Sequence, residues 1–276
     1  MTDGTLKKIT ELTGHDGPIL NLTWAHPQFG NLIATSGLDG KVIIHKEATK
    51  EWEKLLNYSE YKQTTTCLEF NLKPNSKNSL QLVCGYSDGA LFLFNFLNDT
   101  WNINNVSKAH IFGVNAVSWI NLNTEKNTYN SRFVSGGNDY LIKQWEVTSE
   151  GKIELVSSLE KVHSSPIKSI DVYLSDEISN TRSNIIATVD VDDEVFLWTP
   201  ESSSDSFDIT FKPEAFKFFN EHKANNITHL TWSKCGTYLS ISTLDSTYLY
   251  KNYDKEWVIF SSVNQEGQIV NHYEEN

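Results

Sequence analysis

Short runs of β-branched, aliphatic and aromatic residues recur along this chain, each bounded by Gly, Asn, Asp or Ser: NLIATSG (31–37), LQLVCGY (80–86), NIIATVD (184–190) and YLSISTL (238–244). Runs this short, closed off by turn formers, predict strands rather than helices. Each is followed after a turn by another strand and then by a more polar one with an outward-facing pattern: EWEKLLNY (51–58), WNINNV (101–106), KIELVSS (152–158), FDITF (207–211) and EWVIFSSV (256–263). The pattern predicts an all-β chain.

The strands belong to a repeat. SGLDGKVIIHK (36–46) returns as GYSDGALFLFN, GGNDYLIKQWE, VDVDDEVFLWT and STLDSTYLYKN, with turn aspartates at 39, 88, 139, 192 and 245, each 49 to 53 residues after the last. Six places beyond each aspartate stand His45, Phe94, Trp145, Trp198 and Lys251. Upstream, His15–Trp24, Tyr61–Phe70, His110–Trp119 and His163–Val172 are each nine apart, and His222–Trp232 is ten apart. Four strands per repeat at about 40–50 residues predict a β-propeller, whose blades bury their faces against one another. A kelch-type blade wants a Gly-Gly doublet in every repeat, and only Gly136-Gly137 supplies one, so the His and Trp landmarks favour WD blades. The expected architecture is one domain over 1–263. Its blades run over about 14–58, 60–107, 109–159, 162–213 and 222–263, with an extra strand at 5–12 and a polar tail at 264–276.

The histidines admit two readings. His15, Thr35, Asp39; His110, Ser135, Asp139, Trp145; and His163, Thr188, Asp192, Trp198 have the inventory of a Ser-His-Asp triad. A triad is one constellation serving one substrate. A trio repeated blade after blade is a structural network, because buried polar groups must find partners. No phosphate-cradling glycine loop, GxSxG elbow or HExxH is present, and no His/Cys pair has zinc-site spacing. Asp190, Asp192, Asp193 and Glu194 share one turn and are read as network plus solvated acids. The residues thus predict no enzyme, no metal and no cofactor.

Composition narrows the partners. With 23 Lys and Arg against 35 Asp and Glu, the net charge of −12 opposes direct contact with nucleic acid or anionic membrane, so membrane is reached only through partners. Cys67, Cys84 and Cys235 are scattered and odd in number, which suits a reducing compartment. With no apolar leader and no long apolar stretch, the expectation is a soluble cytoplasmic protein.

The two ends carry the functional signal. The last repeat supplies its own fourth strand, yet DGTLKKITEL precedes His15 and reads as one more strand with Leu6, Lys8, Thr10 and Leu12 on one face. Five full blades plus an orphan strand make an open ring, and open edges are covered or paired in stable proteins. The expected partner contacts are Leu6, Lys8, Ile9, Thr10 and Leu12 at one end, and Leu249, Trp257 and Ile259 on the last blade.

LTGHDGPI, WAHPQFG, DGKVIIHKE, AHIFGVNAVSW and RFVSGG resemble the family of the small WD-repeat subunit of the COPII outer coat, which is shared with the Y-shaped scaffold of the nuclear pore. The resemblance covers about residues 6 to 262, strongest before 145. It implies an open six-bladed propeller completed by a blade from an α-solenoid partner. That partner is the large cage subunit in the coat and a scaffold nucleoporin at the pore; a vacuole-associated nutrient-signalling complex also uses such a subunit. It further implies a location on the endoplasmic reticulum membrane, on coat vesicles and at the pore. Family members carry three more strands ahead of the segment matching Leu6–Leu12. The alternative expectation is a closed-ring adaptor that reads peptide motifs, such as a ubiquitin-ligase receptor.

Overall fold

The computed structural model describes residues 7–49, 51–72, 79–120, 131–173, 185–200, 211–216, 226–233, 236–253 and 256–272. The strands form five antiparallel meanders in chain order. The first sheet holds β1 (Ile19–Trp24), β2 (Leu32–Gly37), β3 (Val42–Glu47) and β4 (Trp52–Tyr58). The second holds β5 (Thr65–Phe70), β6 (Leu80–Tyr86), β7 (Leu91–Leu97) and β8 (Thr100–Val106). The third holds β9 (Val114–Ile120), β10 (Ser131–Gly137), β11 (Ile142–Val147) and β12 (Ile153–Ser158). The fourth holds β13 (Ile167–Tyr173), β14 (Ile185–Asp190), β15 (Val195–Pro200) and β16 (Phe211–Phe216). The fifth holds β17 (His229–Trp232), β18 (Tyr238–Ser242), β19 (Ser246–Tyr253), β20 (Glu256–Asn264) and β21 (Ile269–Asn271).

Burial follows position in the blade. All of β6 and β10 is buried, as expected of strands covered on both faces, whereas the outer β4, β8 and β12 alternate between covered and exposed positions. Four apolar clusters hold the sheets in series. Ala34 and Ile44 pack on Phe70 and Leu82; Val83 and Leu93 on Trp119 and Phe133; Val134 and Ile142 on Ile170 and Trp198; Val189 and Leu197 on Leu230 and Tyr250. Full burial of one such large apolar side chain contributes roughly 1.5–3 kcal/mol. Four clusters join five sheets into an arc. The first and fifth sheets share no cluster among the described residues, so this is a WD β-propeller whose sheets do not close into a ring.

Three elements differ from the sequence expectation. The fourth blade's outer strand begins where FDITF ends, at Phe211, and runs to Phe216; residues 207–210 lie outside the described residues. Pro213 is accommodated because β16 is an edge strand that pairs on one side only. Residues 264–272, expected as a polar tail, turn back at Asn264–Gly267 and add β21 to the free edge of β20. The Asn264 carboxamide accepts from the amides of Glu266 and Gln268, and Gly267 supplies the left-handed residue (φ 77°) that the hairpin turn requires. Residues 7–12, expected as part of a strand over 5–12, carry no strand ladder: no neighbouring strand pairs with them among the described residues, and Lys8 donates to the Glu11 carboxylate.

Candidate assembly flanks

The repeated histidines are held inside their own blades. In the third, His110 Nδ1 lies 2.7 Å from Asp139, His110 Nε2 lies 2.7 Å from Ser135 Oγ, and the Trp145 indole donates to that hydroxyl at 2.7 Å. Burial pulls the His110 pKa down, although Asp139 pulls the other way. For Asp139, burial opposes its charge, but bonds from His110 and from the Ile111 and Leu141 amides outweigh it and hold the carboxyl below its usual range. In the first blade His15 makes the same contacts with Asp39 (3.1 Å) and Thr35 (3.0 Å). His45 stands in the tryptophan's place, buried, with its Nδ1 unpartnered.

In the fourth blade His163 bonds Asp190 at 3.0 Å and Thr188 at 2.8 Å, and Trp198 donates to Thr188 at 2.9 Å. The acid is therefore Asp190 and not the expected Asp192. The turn bonds align Asp190 with Gly37 and Gly137, since Gly40, Tyr140 and Asp193 each donate an amide back to that position. At Gly137 even a Cβ would come within 2.4 Å of His110 Nδ1, so a side chain at this position sits beside the ring. Asp190 puts a carboxylate there, leaving Asp192 exposed at the turn.

Two blades depart further. The second replaces the network with aromatic packing: Tyr61 donates its hydroxyl to Asp88, and Tyr58, Tyr61, Tyr86, Phe92 and Phe94 pack against one another, edge to face or tilted. In the fifth, Ser242 pairs with Thr247 across a turn one residue shorter than in the other blades, where for example Gly136 pairs with Ile142. A one-residue change swaps faces, so Tyr250 fills the buried position and Lys251 points the other way.

One cluster has the ligand types of a metal site: His163, Asp190 and Glu194. Both His163 ring nitrogens already bond Asp190 and Thr188, and Asp190 accepts from the amides of Asp192 and Glu194. This chemistry is that of a satisfied turn.

The innermost strands are clasped to one another. Thr66 donates to the Val114 carbonyl, Asn115 to the Ile167 carbonyl and Lys168 to the Ile227 carbonyl, each reaching from one blade to the next. One turn of the pleat further along, the Glu69 carboxylate accepts the Trp119 amide, and Asp171 accepts the Trp232 amide and the Thr231 hydroxyl. Burial of its carboxyl, with Asp171 nearby, pushes Glu69 up to about 8. Burial likewise raises Asp171.

Among the described residues, no sheet lies against the flank of the first sheet in this way. In the second to fifth blades three residues face the preceding sheet and are buried: Thr65, Leu68, Phe70; Val114, Val117, Trp119; Ile167, Ile170, Val172; and Ile227, Leu230, Trp232. Their counterparts in the first blade, Ile19, Leu22 and Trp24, are 51%, 58% and 51% exposed. Trp52 leans on Trp24, edge to face at 6.2 Å.

A family model for the WD domain, G-beta repeat, matches residues 6–46, the stretch that contains the His15 network. Protein SEC13 homolog of Drosophila melanogaster is 29% identical over 267 residues, spanning 91% of this chain and 70% of that protein. Protein transport protein sec13 of Emericella nidulans is 28% identical, spanning 88% of this chain and 79% of that protein. Protein transport protein SEC13-2 of Candida glabrata is 28% identical over 89% of this chain and 82% of its own length. Along about nine-tenths of its length the chain is similar to SEC13 proteins, and its first blade is similar to a WD repeat.

Within this WD-repeat arc the expected partner contacts fall in different places. Leu6 lies outside the described residues; Lys8, Ile9 and Thr10 are exposed, Ile9 almost fully at 92%, and Leu12 is half-buried. Leu249 is half-buried on the fifth sheet's open face. Trp257 and Ile259 do not lie on that face: they pack inward with Phe216, Trp232 and Tyr250 between the fourth and fifth sheets. The two alternate with Val258, and alternation set their face. Sequence reasoning passed over Ile19, Leu22 and Trp24. Their signal was available: they occupy the same offsets from His15 that hold core residues after His110 and His163.

Proposed function

We propose that this chain is a non-enzymatic scaffold subunit of the COPII coat, acting in transport from the endoplasmic reticulum to the Golgi, and of the nuclear pore scaffold. An α-solenoid partner, the large cage subunit or a scaffold nucleoporin, completes its ring with a strand or blade. A vacuole-associated nutrient-signalling complex is a further host in this reading. In this reading the chain is cytoplasmic, reaching the endoplasmic reticulum membrane, coat vesicles and the pore only through partners. The carrying observation is the row Ile19, Leu22 and Trp24, exposed at offsets that are buried in the other four blades. The names of the relatives, two of them protein transport proteins, support the transport reading. The closed-ring adaptor loses its premise, since no apolar cluster joins the first and fifth sheets among the described residues.

The test is co-expression with the blade-donating segment of the large cage subunit, followed by size-exclusion chromatography. A one-to-one complex, with the chain aggregating alone, is expected. A stable lone monomer that ignores the segment would sink the scaffold reading.

A further inference from the structure

The junction of the second and third sheets carries an apolar knob that the repeat does not require. The two residues after the landmark histidine or tyrosine are Asp16-Gly17, Lys62-Gln63 and Ser164-Ser165 in the first, second and fourth blades, but Ile111-Phe112 in the third. Ile111 is 60% exposed and Phe112 78%, so burial holds neither in place. Phe112 also stands at φ 65°, a left-handed backbone that a Cβ makes unfavourable, while Gly17, Gln63 and Ser165 avoid it. The adjoining turn repeats the pattern. Gly40 and Gly89 take the left-handed place in the first two blades, and the exposed Tyr140 takes it in the third, at φ 67°. Hydrogen bonds fix loop and turn together: the Asn138 amide donates to the Gly113 carbonyl at 3.1 Å, its carboxamide donates to the Phe112 carbonyl, and the Ile111 amide donates to Asp139.

We propose that Ile111, Phe112 and Tyr140 form a docking surface for an acidic protein segment, one that sets an aromatic or aliphatic anchor beside Asp or Glu. Three neighbouring apolar side chains, two of them on strained backbone that glycine would relieve, mark an interaction site rather than a need of packing. Charge names the occupant. The Lys161 ammonium lies 5.3 Å from the centre of the Tyr140 ring and has no ion pair among the described residues. In the segments that meet here, 107–113, 137–141 and 159–162, the exposed charged residues are Lys108, Lys161 and Glu160, two cations to one anion on a chain of net charge −12. Of the nearby acids, Asp139 is engaged by His110 and Asp88 by the Tyr61 hydroxyl. A carboxylate beside the anchor therefore meets unpaired ammonium groups, and a basic segment meets like charge. The overall negative charge opposes an anionic membrane as the occupant. The surface lies between two complete blades, away from both ends of the arc, and does not rest on the scaffold reading.

The experiment probes the full chain with an array of octapeptides in which Phe, Trp or Leu stands between acidic residues, and with the same array carrying Lys in place of Asp and Glu. Wild type should bind the acidic array, Phe112→Gly at least tenfold more weakly, and Lys161→Ala at least threefold more weakly. Val191→Ser, which removes an exposed apolar residue from the fourth blade's turn, should stay within twofold of wild type. Because Phe112→Gly relieves the left-handed backbone, its urea midpoint should equal or exceed that of wild type. A lower midpoint would give Phe112 a role in folding and overturn the inference. Preference for the basic array, binding to neither array, undiminished binding by Phe112→Gly, or an equal loss in Val191→Ser would each overturn it too. Phosphatidylserine vesicles and self-association are tested in parallel. Vesicle binding or a concentration-dependent dimer that Phe112→Gly abolishes would make a membrane or a second copy the occupant, and the acidic segment would be abandoned.

Discussion

Glu69 and Trp119 bond each other twice across the junction of the second and third sheets. The Glu69 carboxylate accepts the Trp119 amide at 3.1 Å, and the Trp119 indole donates to the Glu69 carbonyl at 3.0 Å. The backbone-to-carboxylate half of this clasp is repeated two junctions on, between Asp171 of the fourth sheet and Trp232 of the fifth, so the same device recurs along the innermost strands.

The clasp predicts a pH dependence. Burial first, and Asp171 second, raise Glu69 from 4.5 to about 8. A raised carboxyl pKa means that the folded state prefers the proton. Its stabilising contribution is full below pH 4.5 and is lost as pH rises toward and through 8. Glu69→Gln keeps an acceptor for the Trp119 amide and removes the titration. Its urea midpoint should vary less than that of wild type between pH 5 and 9 and should exceed it at pH 9. Parallel curves for the two proteins would show that Glu69 does not titrate in this window.

Asp190 and Asp192 should behave oppositely. Asp190 is fully buried and accepts from His163 and two backbone amides, whereas Asp192 is exposed. Asp190→Ala strands those donors and should cost about 2–3 kcal/mol, while Asp192→Ala should stay within about 0.5 kcal/mol of wild type. Chemical denaturation of the two variants decides it, and a larger loss from Asp192→Ala would return the network to the turn acid.

His45 is a fault in the first blade's network. It occupies the tryptophan position, is buried, and leaves Nδ1 without a partner. Burial lowers its pKa; a hydrogen bond to the Thr13 backbone opposes this, and Lys54 and His15 add to the lowering. A lowered histidine pKa contributes stability above 6.5 that is lost as pH falls. His45→Phe, the residue type at the matching Phe94, should gain about 1 kcal/mol at neutral pH and flatten the stability profile between pH 6.5 and 5. Destabilisation at both pH values would show that the ring makes bonds worth more than its cost.

The propeller was legible because its landmarks repeat. A turn aspartate every 49 to 53 residues, with strands between, fixes blade number and strand order without tertiary information. What escaped depended on single-residue register. Asp190 and Asp192 are two apart on one turn, and only the alignment of turn bonds separates them. Lys251 stood six residues after its aspartate like Trp145 and Trp198, yet a turn shortened by one residue gave the buried place to Tyr250. Trp257 and Ile259 looked like an exposed apolar pair because the last blade was expected to be open. They face its closed side, and the open side is the one with serines.

The edge of the fifth sheet closes on itself, and this too is testable. Ser261, Ser262 and Val263 of β20 pair with Asn271, Val270 and Ile269 of β21, and the His272 amide donates to the Phe260 carbonyl at 3.0 Å. Without β21 the long strand Glu256–Asn264 would present a bare edge, the kind of surface that templates aggregation. Truncation after Asn264 should therefore speed amide exchange in 261–263 at least tenfold and raise light scattering at micromolar concentration. The core pairs Leu230–Ile241 and Leu239–Tyr250 should keep their protection, because they lie on the far side of the sheet. Unchanged exchange in 261–263 would mean that β21 does not shield this edge in solution, and the last blade would then end in a strand open to pairing.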